Sequence, residues 1–285
     1  MGGLVADAFR YERRAAREAT ATLPEARPYE AVRRKRYRYF ERLLSAHPDP
    51  EQRDGPHPLA PDAARRIELS MQPVYVLHDE YLFLRVLQSY EAVFRALVRR
   101  AREARDLLAG GRPYATAARL DGAARQLDRA ALLFSLLATM DVPAFRTFRE
   151  YTEGSSAIQS ERYKLFEWLC GRPEPARLRS PAFTSVPAVE SYASCPGGPD
   201  TITDCCLAAR RSGRFTPGQW SALDAALDRV EHSHQRWKAT HHALAARMIG
   251  PASGSGYTEG VPYLRQCLDN RLFWRLGELS SRTGG

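Results

Sequence analysis

Apolar residues return along this chain at spacings of three and four, and runs of Val, Ile and Thr alternating at period two are missing. That pattern predicts helices and no sheet. The first predicted helix covers 28–46 and ends in L-L-S-A; a loop rich in Pro, Asp and His follows from His47 to Pro61. Residues 62–108 read as a long helical stretch interrupted near Pro73, whose ring and missing N–H break a helix. Beyond the proline, Phe83, Val86, Leu87, Tyr90, Phe94 and Leu97 keep helical spacing until L-A-G-G-R-P. A third helix is predicted from about 115 to 140, with Leu127, Ala131, Phe134 and Leu137 on one face, and a shorter pair over about 143–171. The proline-rich stretch 172–202 reads mostly as loop. Thr216-Pro217-Gly218-Gln219 is a strong helix start, with Thr as N-cap, Pro at the first position and Gln at the third. That helix runs to about Gly250, a glycine-serine loop follows, and a last helix covers about 260–280. No internal repeat is visible. The expectation is one all-α domain over 1–285, a bundle with long central helices. Its N-terminal helix and arm span 1–61, and its helical core spans 62–285 with a loop-rich insertion at about 172–202.

On the helix from Thr216, the residues Leu223, Leu227, Val230, His234, Trp237, His241, Leu244 and Met248 follow steps of four and three. They form one continuous stripe. In W-K-A-T-H-H-A-L-A-A-R-M-I-G (237–250), His241 lies on the stripe and His242 points roughly 100° away. His234 is on it too; His232 is not. A histidine on an apolar stripe is ordinarily a satisfied core residue, yet a buried neutral imidazole also makes a good haem or metal ligand. His234 and His241 stand seven residues apart, about 10 Å along the axis, too far to chelate one zinc together. One of them could still bind an iron already held by a porphyrin. Two other stretches carry chemistry. His78 opens the apolar V-Y-V-L-H-D-E-Y-L-F-L-R. Arg149 stands beside Phe145 and Phe148, where it could clamp a carboxylate or simply lie over the rings at the surface. The loop G-P-A-S-G-S-G-Y could bind an anion, act as a lid, or be a plain connector.

Five segments stand in one order: Y-R-Y-F-E-R-L-L-S-A-H (37–47), Y-V-L-H-D-E-Y-L-F-L-R (75–85), F-R-T-F-R-E-Y-T-E-G-S-S-A-I-Q-S (145–160), the W-K-A-T-H-H stretch, and S-G-Y-T-E-G-V-P-Y-L-R (255–265). Together they resemble the tryptophan 2,3-dioxygenase superfamily, the histidine-ligated haem-dependent aromatic oxygenases. That family's counterparts are Y-L-x-L-D-x-L-L-S-A-Q, F-I-I-x-H-Q-x-x-E-L-W-x-K, F-R-D-x-L-x-x-S-S-G-F-Q-S, W-R-x-x-H with R-M-I-G, and S-G-x-x-Y-L-R. The resemblance implies a helical domain binding haem b, usually in a homotetramer in which the N-terminal segment of one subunit helps cover a neighbour's pocket. It implies His241 as the axial ligand of the haem iron, with Trp237 beside it, and His78 as the distal histidine. It implies Arg149 on the substrate carboxylate, with Phe145 and Tyr37 near the substrate. The sequence also departs from the family. The T-G-G-[ST]-S-G loop is shortened to P-A-S-G-S-G, leaving Ser253 to stand in for a threonine. S-S-G-F-Q-S has become S-S-A-I-Q-S, Val74 replaces a distal phenylalanine, and the spacing after His78 is one residue shorter. The H-x-x-x-C signal of covalently attached haem is absent after His241.

The departures resemble the haem-dependent tyrosine hydroxylases of natural-product pathways. The main expectation is therefore a monooxygenase converting L-tyrosine to 3,4-dihydroxyphenylalanine, with hydrogen peroxide or dioxygen as oxidant. The alternative is opening of L-tryptophan to N-formylkynurenine. Composition adds a third reading. The formal charge is +9, mostly from arginine, and R-R-K-R-Y-R (Arg33 to Arg38) is a dense basic cluster. That suits either solvated helix faces or a helical nucleic-acid-binding protein; with the oxygenase reading, no nucleic-acid partner is expected. No apolar run of about 18 residues and no leader pattern is visible, so a cytoplasmic protein is expected. Five cysteines without a C-x-x-C pair point to free thiols rather than zinc or a disulfide framework.

Overall fold

Tyr90 donates its hydroxyl to the carbonyl of Ala130 at 3.1 Å, and Gln126 donates to the carbonyl of Val93 at 3.4 Å. As one index rises the other falls, so the two helices carrying these residues are antiparallel. The computed structural model describes residues 1–17, 28–45, 61–71, 77–149, 160–180, 183, 200–250 and 259–277. Its helices are α1 (Gly2–Arg17), α2 (Glu30–Ser45), α3 (Pro61–Leu69), α4 (His78–Ala109), α5 (Pro113–Leu137), α6 (Val142–Arg149), α7 (Glu161–Cys170), α8 (Pro175–Leu178), α9 (Ile202–Arg211), α10 (Pro217–Ile249) and α11 (Val261–Cys267). No strand occurs among the described residues, as the all-α reading requires.

Helices α4, α5 and α10 form the centre. The turn between α4 and α5 passes through Gly111 at φ 73°, a conformation that suits glycine. Between α5 and α10, Asp121 pairs with Arg229 at 2.7 Å and Asp128 with Arg236 at 2.6 Å. Both pairs keep one offset, so α5 and α10 run parallel. Parallel neighbours need a crossover, and the chain from α6 to α9 supplies it. The start of α4, the end of α5 and the end of α10 therefore share one end of the bundle.

Between these helices lie Phe94, Leu97, Leu127, Leu133, Leu223 and Val230, none more than 1 % exposed. Burying each such side chain contributes about 1.5–3 kcal/mol. Of the apolar positions predicted on α4 and α5, Leu87 and Ala131 are only half-buried, at the edges of their faces.

The long helices start and stop close to where the sequence signals stand. The Thr216 hydroxyl accepts from the Gln219 N–H, and the Gln219 side chain accepts from the Thr216 N–H. α10 ends at Gly250, φ 58°. Three helices lie outside the sequence prediction, the single-turn α8 within the stretch read as mostly loop among them. α1 buries Val5, Ala8, Tyr11, Glu12 and Ala15 on one face, and it packs on α2 and α4 of its own chain. α9 opens with a capping box built from Thr201 and Asp204. The predicted last helix over 260–280 is interrupted: α11 ends at Cys267, and helix returns at 274–277. Lys238 takes up the carbonyls of Cys267, Leu268 and Asn270, and Gln235 also donates to Asn270. The Cys267 carbonyl keeps only a turn bond, from the Asn270 N–H at 3.3 Å. The break at Pro73 and the glycine-serine loop at 251–258 lie outside the described residues. Among the described residues, no single helix is long and apolar enough to cross a membrane.

Candidate active site

Both stripe histidines of α10 face inward, and their neighbours separate them. His234 is fully buried, with Nε2 at 2.9 Å from the Tyr163 hydroxyl. Burial first, then the charge of Lys238, holds its pKa well below the ordinary value. Burial also keeps Tyr163 protonated, so a neutral imidazole accepts its proton at Nε2. His234 is thus engaged at Nε2, while its buried Nδ1 has no hydrogen-bond partner. His241, two turns on, is half-buried yet closely surrounded. Its ring stacks parallel on Phe134 at 5.2 Å and lies 5.8 Å from Trp237. Desolvation, helped by the charge of His242, lowers its pKa to about 4. No hydrogen bond engages His241 among the described residues. Trp237 stands at the hub of this region, with ring centroids 5.3–6.0 Å from Tyr163, Phe134, Phe94 and Tyr90.

His78 lies in the first turn of α4 and is 1 % exposed. Its Nε2 faces Glu12 Oε1 of α1 at 3.0 Å. Arg36 of α2, fully buried, donates to Glu12 Oε1 at 2.8 Å, to Asp79 Oδ1 at 2.6 Å and to Thr139 Oγ1 at 2.8 Å. Asp79 in turn accepts from the Asp141 N–H at 2.7 Å. Burial opposes ionisation of Glu12, but the hydrogen bond with His78 and the Arg36 charge outweigh it and hold the carboxyl below its usual range. Two buried atoms of this cluster, Glu12 Oε2 and His78 Nδ1, have no hydrogen-bond partner.

α6 lies against both α4 and α10. Phe145 and Phe148 pack on Phe83 at 5.6 and 5.5 Å, one turn and a half along α4 from His78. Arg149 ends α6 half-buried and engaged in interactions of its own. Tyr37 donates its hydroxyl to the Glu12 carbonyl at 3.3 Å, which ties it to the residue that also faces His78. The fold thus places His78, Tyr37 and Phe145 around the start of α4, with Arg149 closing α6 beside them, and Trp237 with His241 further along the bundle, beside Tyr90 and Phe134. Ser253 lies outside the described residues.

The sequence reading missed Glu12, Asp79 and the structural role of Arg36. Arg36 stands inside the basic run Arg33–Arg38, where its neighbours Arg34, Lys35 and Arg38 are exposed. A charge run conceals which member turns inward. The spacing of Arg36, Phe40 and Leu43, the three buried residues of α2, was the available signal.

A haem iron needs a neutral imidazole with a free nitrogen beside an apolar wall. His241 provides that: it is neutral, it has no hydrogen bond, and it is flanked by Phe134 and Trp237. His234 fits poorly: its Nε2 already meets the Tyr163 hydroxyl, and the residue has no exposed surface. Among the described residues no group of three His, Cys, Asp or Glu side chains suits a bare metal ion.

This is an all-α protein whose α4–α5 pair is antiparallel and whose α5–α10 pair is parallel, with His234 and His241 of α10 facing into the layer. Residues 64–183 match the family profile described as tryptophan 2,3-dioxygenase. The chain is 30 % identical over 230 residues to the tryptophan 2,3-dioxygenase of a Nocardioides species, covering 70 % of this chain and 84 % of that protein. It is 30 % identical over 234 residues to that of Ruegeria pomeroyi, covering 71 % and 84 %. With that of Pseudomonas aeruginosa it shares 29 % identity over 233 residues, covering 70 % and 81 %. The chain belongs to the tryptophan 2,3-dioxygenase family.

Proposed function

We propose that this protein is a haem-dependent dioxygenase that opens the indole ring of L-tryptophan to N-formylkynurenine, adding both atoms of dioxygen. The similarity to proteins that bear this activity in their names favours it over tyrosine hydroxylation, the main expectation from the sequence. The observation that carries the haem reading is His241: neutral, unbonded and walled by aromatic rings. Haem b would supply the binding and activation of oxygen. His241 would hold it, with Trp237 fixing the ring's direction. Arg149 would take the substrate carboxylate and Phe145 the aromatic ring, with Tyr37 and Ser253 closing the polar side. Positioning of this kind turns an encounter into an oriented one. His78 would handle a proton on the substrate or the bound oxygen. The reading treats residues 1–285 as one domain in a homo-oligomer.

A specific observation keeps tyrosine hydroxylation as a second reading. The P-A-S-G-S-G stretch at 251–256 lacks the threonine that the resemblance implies for the substrate ammonium. One experiment addresses both. The haem-supplemented protein and His241→Ala are compared by absorption spectrum, then incubated with tryptophan or tyrosine. A Soret band that collapses in the variant, with N-formylkynurenine from tryptophan, is the expected result. A catechol from tyrosine with no ring-opened product would reverse the choice of substrate. No Soret band, or one indifferent to His241, would end the haem reading.

A further inference from the structure

Glu12, Arg36 and His78 come from three helices and meet in the interior, each no more than 1 % exposed. Glu12 Oε1 lies 3.0 Å from His78 Nε2 and 2.8 Å from Arg36 Nη1. Arg36 is fixed in turn by Asp79 at 2.6 Å and Thr139 at 2.8 Å. An ionised carboxylate can only accept, so the His78 nitrogen that faces it must carry a proton. Flipping the ring would set a bare nitrogen or a carbon against a buried carboxylate, which loses a charge-assisted hydrogen bond and leaves a buried acceptor unmet. The ring therefore has one favoured orientation, with Nδ1 free of partners.

We propose that Glu12, held by Arg36, is a positioning residue that fixes His78 through Nε2 and leaves Nδ1 as its working nitrogen. This rests on the reading of His78 as the histidine on the substrate side of the haem. Helix α1 thereby acts on the active site through His78, and a proton exchanged by His78 passes through Nδ1.

The test uses the ferrous holoprotein with carbon monoxide, whose C–O stretching band senses the polar groups beside it. Wild type, Glu12→Gln, His78→Phe and the double variant are compared by infrared spectroscopy. Glu12→Gln is expected to shift the band towards the His78→Phe position and to add nothing in the His78→Phe background. A band unmoved by Glu12→Gln, or a shift that persists without His78, overturns the proposal. Nitrogen-15 NMR of histidine-labelled protein reads the ring directly and needs no haem. The His78 signals, identified by their loss in His78→Phe, should show a protonated Nε2 that depends on Glu12. Protonation at Nδ1 alone would overturn the proposal, whereas failure to form any haem complex would count against the haem reading instead.

Discussion

His234 and His241 lie on one face of one helix, and a tyrosine opposite the first decides their difference. Because His234 is fully buried and held neutral, acid must unfold the protein in order to protonate it. Its folded pKa lies below the unfolded value of 6.5. The unfolded chain thus binds the extra proton first, and stability is lost as pH falls below about 6.5. For one proton the slope approaches about 1.4 kcal/mol per pH unit. His234→Gln keeps an acceptor for Tyr163 and cannot titrate. Urea midpoints between pH 7 and 5 should therefore fall less steeply in this variant than in the wild type. Parallel slopes would mean that His234 is protonated in the folded state. The stripe holding both histidines was readable from spacing alone, since Leu223, Leu227, Val230, Trp237 and Met248 are all buried. Which histidine is engaged by a tyrosine was not, because Tyr163 sits 71 residues away.

At the scale of elements, the start of α4 is joined to α1 and α2 by buried charge rather than by apolar packing alone. Removing Arg36 strands Glu12 and Asp79 as buried carboxylates without their cation. Breaking a buried pair in this way costs about 3–5 kcal/mol. Arg36→Met should therefore lower the urea midpoint sharply. Arg34→Gln, which loses only an exposed pair with Glu30 four residues away, should cost about 0.3–0.5 kcal/mol. Equal effects would remove the buried cluster from the account. The long helices were legible because a stripe of several turns repeats its signal and a capping box marks its start. α1 was missed although Val5, Ala8, Tyr11 and Ala15 carry helical spacing, since small residues make a weak stripe. α9 was missed because T-I-T-D caps with Asp204 where Glu or Gln is the usual third residue. The break after Cys267 was not legible at all: Lys238 and Gln235 of another helix bind the carbonyls there.

Over the whole molecule, which carries a formal charge of +9, several arginines connect one helix to another through carboxylates. Arg229 and Arg236 join α10 to α5, Arg210 joins α9 to α10 through Asp224, and Arg162 joins α7 to α4 through Glu91. Each exposed pair is worth about 0–1 kcal/mol, so they adjust register more than they stabilise. The dense cluster on α2 contributes its Arg36 to the interior, leaving Arg34, Lys35 and Arg38 in solvent. Exposed substitutions clear of such contacts stay within roughly 0.5 kcal/mol, about a factor of two in an equilibrium. The triple change of Arg34, Lys35 and Arg38 to Gln should accordingly leave haem uptake and tryptophan turnover within about twofold of wild type. Retention on duplex DNA across a salt series is measured beside them. Binding that falls steeply with salt and vanishes in the triple variant would make these side chains a phosphate-contacting surface. An activity loss beyond tenfold with haem still bound would instead give the exposed face of α2 a part in substrate entry. Either result would assign this face a partner that the fold of the isolated chain does not require.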